Sequence, residues 1–354
     1  MIGSPARLLY VGWTGQGNLG DDAIAESLLP HLPAVEPWHV PHDPAGFARQ
    51  VLGGGARGAA GRAVLVGGGT VVGRRNWRLL LTATGVFLAR RRPWHLIGVG
   101  VEDPAFSGKN SFSGNGELAR WAELCRRFDR ITVRGPRSAA LLDSVGIPAE
   151  IVGDPALLHE PSEVIVPRDK LLGVNLGFGD DLWGHDHERV VDAVAELVRG
   201  VVTDGWSVRF LVINPKDWAL AEAAIHRAAV PEARVELRTT STVPGYLAAV
   251  GECTVLVAER LHALVLAAAA AVPLVGLEYQ PKCADFLASV GSEARSVRTD
   301  RVDADVLREH LDALTECRDA ESVRLLGRVE ALRGLLWTEL ARIRSGAETA
   351  RSPR

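Results

Sequence analysis

Short apolar runs alternate along the chain with longer segments in which apolar residues recur every three or four positions. The apolar runs predict strands at residues 7–12, 63–67, 94–99, 130–133, 150–152, 171–176, 207–213, 255–258 and 274–277. The longer segments predict helices at residues 22–32, 76–91, 117–127, 137–145, 187–204, 219–229, 262–271 and 321–343. Buried strands that alternate with helices are typical of parallel sheets covered on both faces.

One break divides this alternation into two parts. The segment 158–169 carries Pro161, Pro167 and several charges, and it is typical of a linker. We therefore predict an α/β protein with two Rossmann-like, doubly wound domains, 1–160 and 170–320, that face each other across a cleft. A long amphipathic helix over 321–344 follows, and we expect 345–354 to form a disordered tail.

Composition narrows the class of protein. The 354 residues are 47% hydrophobic, which excludes a wholly disordered chain, and the net charge of −3 disfavours a nucleic-acid partner. The four cysteines form no C-x-x-C pair, so a reducing, cytoplasmic compartment is expected. We see no signal peptide, and Pro273 interrupts the longest apolar stretch, which is short for a membrane span.

A glycine-rich loop follows the first predicted strand. Its G-x-G-x-x-G pattern consists of Gly15, Gly17 and Gly20. In dinucleotide-binding proteins this pattern lets a helix N-terminus approach a pyrophosphate. Here Asn18, Asp21 and Asp22 place polar and anionic groups where a phosphate would lie, so a nicotinamide-dependent dehydrogenase is disfavoured. A tight turn that caps a helix, or a loop that faces a substrate cleft, remain open.

Further strand ends carry glycines or cations. The second strand ends in Gly67-Gly68-Gly69-Thr70, where the backbone can approach either a ligand or a helix. Arg134 follows a later strand, and Arg137 falls in the first turn of the next helix, where a cation opposes the helix dipole. An anionic ligand or a neighbouring carboxylate would relieve this conflict, although a surface ion pair is the alternative.

The most informative segment is Glu259-Arg260-Leu261-His262, at the start of an alanine-rich apolar helix. An arginine at a helix N-terminus favours an anion that the guanidinium and the backbone amides bind together. Lys282, one of four lysines in the chain, follows the next strand and offers a second cation. The alternatives are a core histidine and a solvated lysine. His185 and His187 have no evident third partner, so we predict no metal site and expect Asp186 to cap a helix.

Taken in order, these segments resemble the polysaccharide pyruvyl transferase family. The shared motifs are Gly15-Gln-Gly17-Asn18-Leu-Gly20-Asp21, Gly67-Gly68-Gly69, Val133-Arg134-Gly135 with Ser138, Asp154-Pro155, Arg260-Leu261-His262 and Tyr279-Gln280-Pro281-Lys282. Two positions depart from the family pattern, Gly135-Pro136 in place of the commoner Asp-Glu and Asp21-Asp22 in place of Asp-Glu. These departures concern the substrate and subfamily more than membership.

The resemblance implies a fold similar to GT-B glycosyltransferases, with the C-terminal helix crossing back to the first domain. It also implies transfer of pyruvate from phosphoenolpyruvate to a sugar diol as a cyclic ketal, with release of phosphate and without a cofactor or metal. The resemblance makes His262 a candidate general acid. Two attacking hydroxyls also need a base, and Asp21, Asp22 or Glu259 could serve as that base or hold the sugar. The resemblance implies that the triplet Arg260-Leu261-His262 binds the donor together with an arginine from elsewhere in the chain. The two anionic groups of the donor favour further fixed cations, for which Lys282, Arg134 and Arg137 are the candidates. The acceptor is expected at Gly15, Gly17, Asn18, Asp22, Gly68, Gly69 and Thr70.

The acceptor implied by the resemblance is a glycan or a lipid-linked saccharide, and the latter would allow peripheral membrane association. The sequence does not predict the oligomeric state. The main alternative is a GT-B-type glycosyltransferase with a nucleotide-sugar donor, because a fold does not fix a function. A non-catalytic scaffold protein is another, and it would bury or ion-pair Arg260 and His262 and lack an open cleft.

Overall fold

The computed structural model describes residues 6–15, 17–32, 35–41, 43–55, 61–88, 93–106, 116–177 and 181–349. Its strands are β1 (Ala6–Val11), β2 (Val35–His39), β3 (Gly61–Gly67), β4 (Thr70–Val72), β5 (Trp94–Val101), β6 (Arg130–Val133), β7 (Glu150–Ile151), β8 (Leu171–Asn175), β9 (Ser207–Val212), β10 (Val235–Thr239), β11 (Val255–Ala258), β12 (Leu274–Glu278) and β13 (Ser296–Arg298).

The α-helices are α1 (Leu19–Leu28), α2 (Pro44–Gln50), α3 (Arg75–Phe87), α4 (Glu117–Cys125), α5 (Pro136–Asp143), α6 (His187–Thr203), α7 (Trp218–Ala228), α8 (Val243–Gly251), α9 (Leu261–Ala269), α10 (Pro281–Ser289), α11 (Ala304–Glu316) and α12 (Arg318–Thr349). Short 3-10 turns include Pro155–Leu158, after β7, and Pro215–Asp217, before α7.

Two parallel sheets organise the chain. The first has the order β2-β1-β3-β5-β6-β7, with β4 beside β5, and the second has the order β10-β9-β8-β11-β12-β13. Every strand pair within the described residues is parallel, as between Leu9 and Val64 in the first sheet and Val257 and Val174 in the second. Central strands such as β5 are buried along their whole length. The predicted α/β class with two doubly wound sheets is thereby confirmed.

Strand order also locates the site. It reverses direction between β1 and β3 in the first sheet and between β8 and β11 in the second. Ligands of open α/β sheets bind beyond the carboxyl ends of the strands at such a reversal. The glycine-rich loop after β1, the glycines after β3 and the Arg260-Leu261-His262 segment after β11 all follow strands at these reversals.

A shared hydrophobic core joins the two sheets. Ile24 of α1 and Leu264 of α9 belong to one buried cluster, which continues along the last helix. The buried residues of α12 recur with helical spacing and are Leu325, Val329, Leu332, Leu336, Leu340 and Ile343. The Glu339 carboxylate of α12 accepts a hydrogen bond of 3.0 Å from Nε of Arg130 in β6. The last helix therefore contacts β6 of the first sheet and shares its buried core with α9 of the second half.

The predicted tail is wrong over its first residues. Helix α12 runs to Thr349, and Ser345 donates a hydrogen bond to the carbonyl of Ala341 within it. The segment 345–349 contains no proline, and Ala347 and Glu348 favour a helix although Gly346 does not, so the helix can continue to Thr349. Residues 350–354 lie outside the described residues.

Four strands, β2, β4, β10 and β13, were not predicted from the sequence pattern. Strands β2 and β10 lie at the outer edges of the two sheets. The first contains Pro37, and the second alternates with polar residues, both of which are typical of edge strands. Among the described helices, none is both long enough and apolar enough to cross a bilayer.

Candidate active site

A cavity of about 270 Å³ lies between the two sheets, at the carboxyl ends of their strands. We call it the central cavity. Its lining residues are Trp13, Asn18, Asp21, Ile24, Gly67, Gly68, Gly69, Thr70, Val71, Arg74, Trp77, Ile213, Arg260, Leu261, His262, Tyr279 and Lys282. Both halves of the chain contribute, so the cavity exists only when the two sheets face each other.

Helix N-termini converge on this cavity from both halves. The N-cap residues Asn18 of α1, Arg74 of α3 and Arg260 of α9 line it, as does Lys282 in the first turn of α10. The first amides of each helix lack partners within the helix, and the N-terminal end carries partial positive charge. The cavity is therefore suited to an anion.

Two arginines add full charges, and neighbouring carboxylates orient both of them. Nε of Arg74 lies 2.6 Å from the Glu102 carboxylate. Nε of Arg260 lies 2.7 Å from Asp217, and a second nitrogen pairs with the other oxygen at 2.5 Å. This two-point pair fixes the plane of the guanidinium at the N-terminus of α9. Arg260 is thus ion-paired, as the scaffold alternative expects, yet it also lines an open cavity.

Lys282 supplies the third cation. Its Nζ lies 4.7 Å from the centre of the Tyr279 ring. Burial, together with the positive charges of Arg74 and Arg134, lowers the pKa of Lys282 to about 8. An anionic ligand would oppose these effects, because it favours the charged ammonium.

His262 forms part of the cavity wall and is only 8% exposed. Its ring packs on α1 where glycine leaves room, since a Cβ on Gly20 would lie 2.2 Å from Nδ1. Nε2 lies 3.8 Å from the Asp154 carboxylate. Burial lowers the pKa of His262, the carboxylates of Asp154 and Asp21 oppose this, and the cations Arg134 and Lys282 reinforce it.

A buried polar cluster stands behind this wall. Arg134 is fully buried, and its three guanidinium nitrogens have no hydrogen-bond partner in the part of the chain described. Nη1 of Arg134 lies 3.6 Å from Oδ2 of Asp154, and Nε lies 3.8 Å from Oδ2 of Asp285. A Cβ on Gly100 would lie 2.4 Å from Nη2 of Arg134 and 3.1 Å from Oγ1 of Thr70, a cavity residue. The Arg134 guanidinium therefore lies next to the lining rather than within it.

Asp21 is the carboxylate in the lining. It accepts a hydrogen bond from the Asn18 side-chain amide, and burial raises its pKa although His262 and Asn18 oppose the rise. Asp22, by contrast, accepts a hydrogen bond of 2.6 Å from the amide of Gly15 and holds the loop. Gly15 and Gly17 adopt positive φ angles of 69° and 71° and lie outside the lining.

Other predicted residues also lie away from the cavity. The Glu259 carboxylate turns to the amide of Gly177, at 2.7 Å, and burial raises its pKa to about 7. Geometry gives no support to a catalytic role for it. The Arg137 side chain is half exposed and lies 3.7 Å from Glu278. Its backbone amide donates a hydrogen bond to Asp285. Asp285 is therefore a carboxylate at this helix N-terminus, one of the two partners that the sequence led us to expect beside Arg137.

Sequence reasoning did not identify several lining residues, namely Trp13, Ile24, Val71, Arg74, Trp77, Ile213 and Tyr279. Trp13 lies in the glycine-rich loop after β1. A large aromatic residue among glycines was the sequence feature that could have identified it as a site residue. Arg74 follows Gly73, which adopts a positive φ of 90° beside Glu102. No group of three or more His, Cys, Asp or Glu suited to a metal occurs within the described ranges.

The fold and the cation-lined cleft define a class, the two-domain α/β proteins of GT-B fold. Residues 18–281 match the family described as polysaccharide pyruvyl transferase, which covers most of the chain. The chain belongs to this family. No curated protein shows a significant match to it.

Solved structures place the fold independently. A putative UDP-N-acetylglucosamine 2-epimerase from Listeria monocytogenes is 13% identical, with 98% of each chain covered and a TM-score of 0.63. The UDP-GlcNAc 2-epimerase from Neisseria meningitidis, solved bound to UDP-GlcNAc, is 12% identical over 90% of this chain and 94% of that one, with a TM-score of 0.58. At such identity the likeness shows the fold alone, and it confirms the predicted GT-B-like architecture.

Proposed function

We propose that the protein transfers the pyruvyl group of phosphoenolpyruvate to two hydroxyls of one sugar residue, which forms a pyruvate ketal and releases phosphate. The observation that carries the proposal is the convergence of Arg74, Arg260 and Lys282 with helix N-termini on one small cavity. Phosphoenolpyruvate bears a phosphate and a carboxylate, and fixed cations bind such a ligand best. Family membership supports the same transferase class.

The reaction balances with protein groups alone. Protonation of the methylene carbon gives C2 cationic character. Two acceptor oxygens form bonds to C2, and the bond between C2 and the phosphate ester oxygen breaks, with its electron pair leaving on that oxygen. The acceptor loses two protons, of which one balances the new methyl hydrogen and the other leaves with phosphate. His262 is the proposed acid at the methylene carbon, because an anionic donor next to it favours the imidazolium.

Asp21 is the proposed base for the attacking hydroxyls. It lies in the lining on the α1 side, and His262 lies on the α9 side, so the two titratable groups approach from opposite halves. The raised pKa of Asp21 suits proton acceptance nearer neutral pH. We place the acceptor against Asn18, Gly68, Gly69 and Thr70, on the first half of the chain.

The competing function is sugar transfer from a nucleotide-sugar. It is kept because a structural neighbour was solved with UDP-GlcNAc bound. The volume of the central cavity favours the smaller donor, since about 270 Å³ lies just below the usual range of ligand sites.

The test measures donor binding by calorimetry and phosphate release with a panel of hexose glycosides. We expect phosphoenolpyruvate to bind the wild type and Lys282→Ala to weaken binding at least about tenfold. Lys170→Ala, at an exposed lysine that precedes β8 and does not line the cavity, should leave binding unchanged. Phosphate release should depend on an acceptor, and mass spectrometry should show the ketal. Binding of UDP-sugars without binding of phosphoenolpyruvate would instead establish the competing function.

A further inference from the structure

A second cavity opens beside the first on the N-terminal half. It has a volume of about 580 Å³, and we call it the side cavity. Its lining residues are Trp13, Thr14, His39, Val40, Pro41, Asp43, Asn76, Trp77 and Leu80. Trp13 and Trp77 line both cavities, so the two spaces meet at this tryptophan pair.

The tryptophan pair presents apolar surface where the molecule is open. The two ring centroids lie 6.5 Å apart at an interplanar angle of 63°. Trp13 is 45% exposed, although large aromatic side chains are usually buried. Exposed aromatic surface at the mouth of a cleft is typical of a ligand-binding groove.

Polar groups surround this surface at the edge of the side cavity. Asn76 and His39 are among its lining residues, and Thr14 Oγ1 lies 3.4 Å from Nδ1 of His39. A pyranose ring offers a face of C–H groups to an aromatic ring and hydroxyls to polar side chains. This arrangement of aromatic body and polar rim suits it.

The charge of the side cavity disfavours an anionic ligand such as a nucleotide diphosphate. Asp43 lines it, and no described lining residue is a lysine or an arginine. The Asp43 carboxylate also caps α2 through the amide of Gly46, at 2.6 Å. A nucleotide diphosphate would lack a counter-ion here, whereas the central cavity holds three cations. The side cavity therefore favours a neutral ligand.

We propose that the side cavity is a glycan subsite, in which the second sugar ring of an oligosaccharide acceptor packs on Trp13 and Trp77 while the terminal ring enters the central cavity. The inference rests on the proposed function for the terminal ring, but the binding of the second ring is a separate property. It makes the protein selective for oligosaccharide over monosaccharide acceptors.

The test compares chain lengths. Methyl glycosides of glucose, galactose, mannose and N-acetylglucosamine are set against di- and trisaccharides with the same terminal residues. We measure equilibrium binding by saturation-transfer NMR and calorimetry, and pyruvyl transfer where it occurs. For the wild type we expect at least about tenfold tighter binding of the longer glycans than of the methyl glycosides.

Two variants remove the subsite and one serves as control. Trp13→Ala and Asn76→Ala should both abolish the gain from the second ring. Asn76 lines the side cavity but not the central one, so Asn76→Ala should also leave binding of the methyl glycosides and of phosphoenolpyruvate within about twofold. Trp218→Ala, a tryptophan that is 40% exposed and lines neither cavity, should retain the gain.

The outcomes separate the two proposals. Glycan binding that depends on chain length and on Trp13, without pyruvyl transfer, would support the subsite and reject the proposed function. Pyruvyl transfer with equal efficiency for all chain lengths would reject the subsite and keep the function. Absence of glycan binding by the wild type, or UDP binding that is lost in Asn76→Ala, would overturn the subsite.

Discussion

The carboxylate of Asp285, on α10, caps helix α5 of the opposite half through Ser138. Its Oδ2 accepts a hydrogen bond of 2.6 Å from Ser138 Oγ, and its Oδ1 accepts from the amides of Arg137 and Ser138 at 2.9 and 3.2 Å. A carboxylate at a helix N-terminus satisfies amides that have no partner within the helix. Asp285 also faces the buried Arg134. One side chain thereby joins the two halves beside the cavity.

Removal of Asp285 should destabilise the whole protein. Asp285→Ala leaves the Arg134 charge buried with less compensation, so we expect a loss of about 3 kcal/mol in the free energy of unfolding. Asp285→Asn keeps an acceptor for the amides and should lose less. Urea titration followed by circular dichroism measures both.

The control for Asp285 is Asp312→Ala, which breaks an exposed pair with Arg308 and should cost less than about 1 kcal/mol. Equal losses in the free energy of unfolding for Asp285→Ala and Asp312→Ala would contradict the proposed structural role of Asp285.

Gly20 sets the position of His262. The Gly20→Ala variant would place a methyl group 2.2 Å from Nδ1, so the imidazole or α1 must move. We expect pyruvyl transfer to fall at least about tenfold, since small displacements of a reacting group are costly. Gly334→Ala, on α12 with open space around it, should keep full activity and gain up to about 1 kcal/mol in stability. Full activity of Gly20→Ala would show that His262 is not required.

Asp154 should act as a positioning residue for His262. Its Oδ2 lies 3.8 Å from His262 Nε2 and 3.6 Å from Arg134, and its negative charge raises the pKa of His262 against the effect of burial. In Asp154→Asn the pKa of His262 falls, so the pH above which the imidazolium is lost becomes lower. The limb of the pH–kcat profile due to His262 should move to lower pH.

A kinetic profile distinguishes this role from a loss of folding. On the basic side of the limb, the imidazolium population and the rate should fall further in Asp154→Asn than in the wild type, because the pKa of His262 is lower. Asp143→Asn, at an exposed carboxylate, should leave the limb in place. A uniform loss of activity at every pH would mean that Asp154 serves stability alone.

Lys282 should control how donor use depends on pH. Burial lowers its pKa to about 8, so the free enzyme loses this cation as pH rises through about 8. We expect kcat/KM for phosphoenolpyruvate to fall over that range, because kcat/KM reports the ionisation of the free enzyme. Arginine stays charged, so Lys282→Arg should remove this limb. A limb that persists near pH 8 in Lys282→Arg would assign it to another group.

Several features of the site could be predicted from the sequence because they are local. Glycines and polar residues at the ends of apolar runs mark strand ends, and all strand ends of a parallel sheet that share a direction meet at one edge. For this reason, nine residues predicted from the sequence line the central cavity, namely Asn18, Asp21, Gly68, Gly69, Thr70, Arg260, Leu261, His262 and Lys282. The alternation of strands and helices likewise fixed the α/β class.

The remaining features depend on distances between elements that are far apart in the chain. Glu259 and His262 lie in one motif, yet Glu259 turns toward Gly177 while His262 faces the cavity. Arg134 resembles a ligand-binding arginine in the sequence, but its surroundings place it behind Thr70 and between Asp154 and Asp285. Trp13 lies in the loop after β1 and Trp77 lies in α3, so the two rings meet only in the folded protein.

The sequence by itself determined the two parallel sheets and the strand ends at which chemistry is placed, because periodicity and loop composition are properties of neighbouring residues. Only the tertiary structure decided which charges share a cavity and which are paired behind its wall. Burial and electrostatic interaction depend on the packing of α1 against α9 and of α5 against α10, and these contacts join segments from opposite halves of the chain.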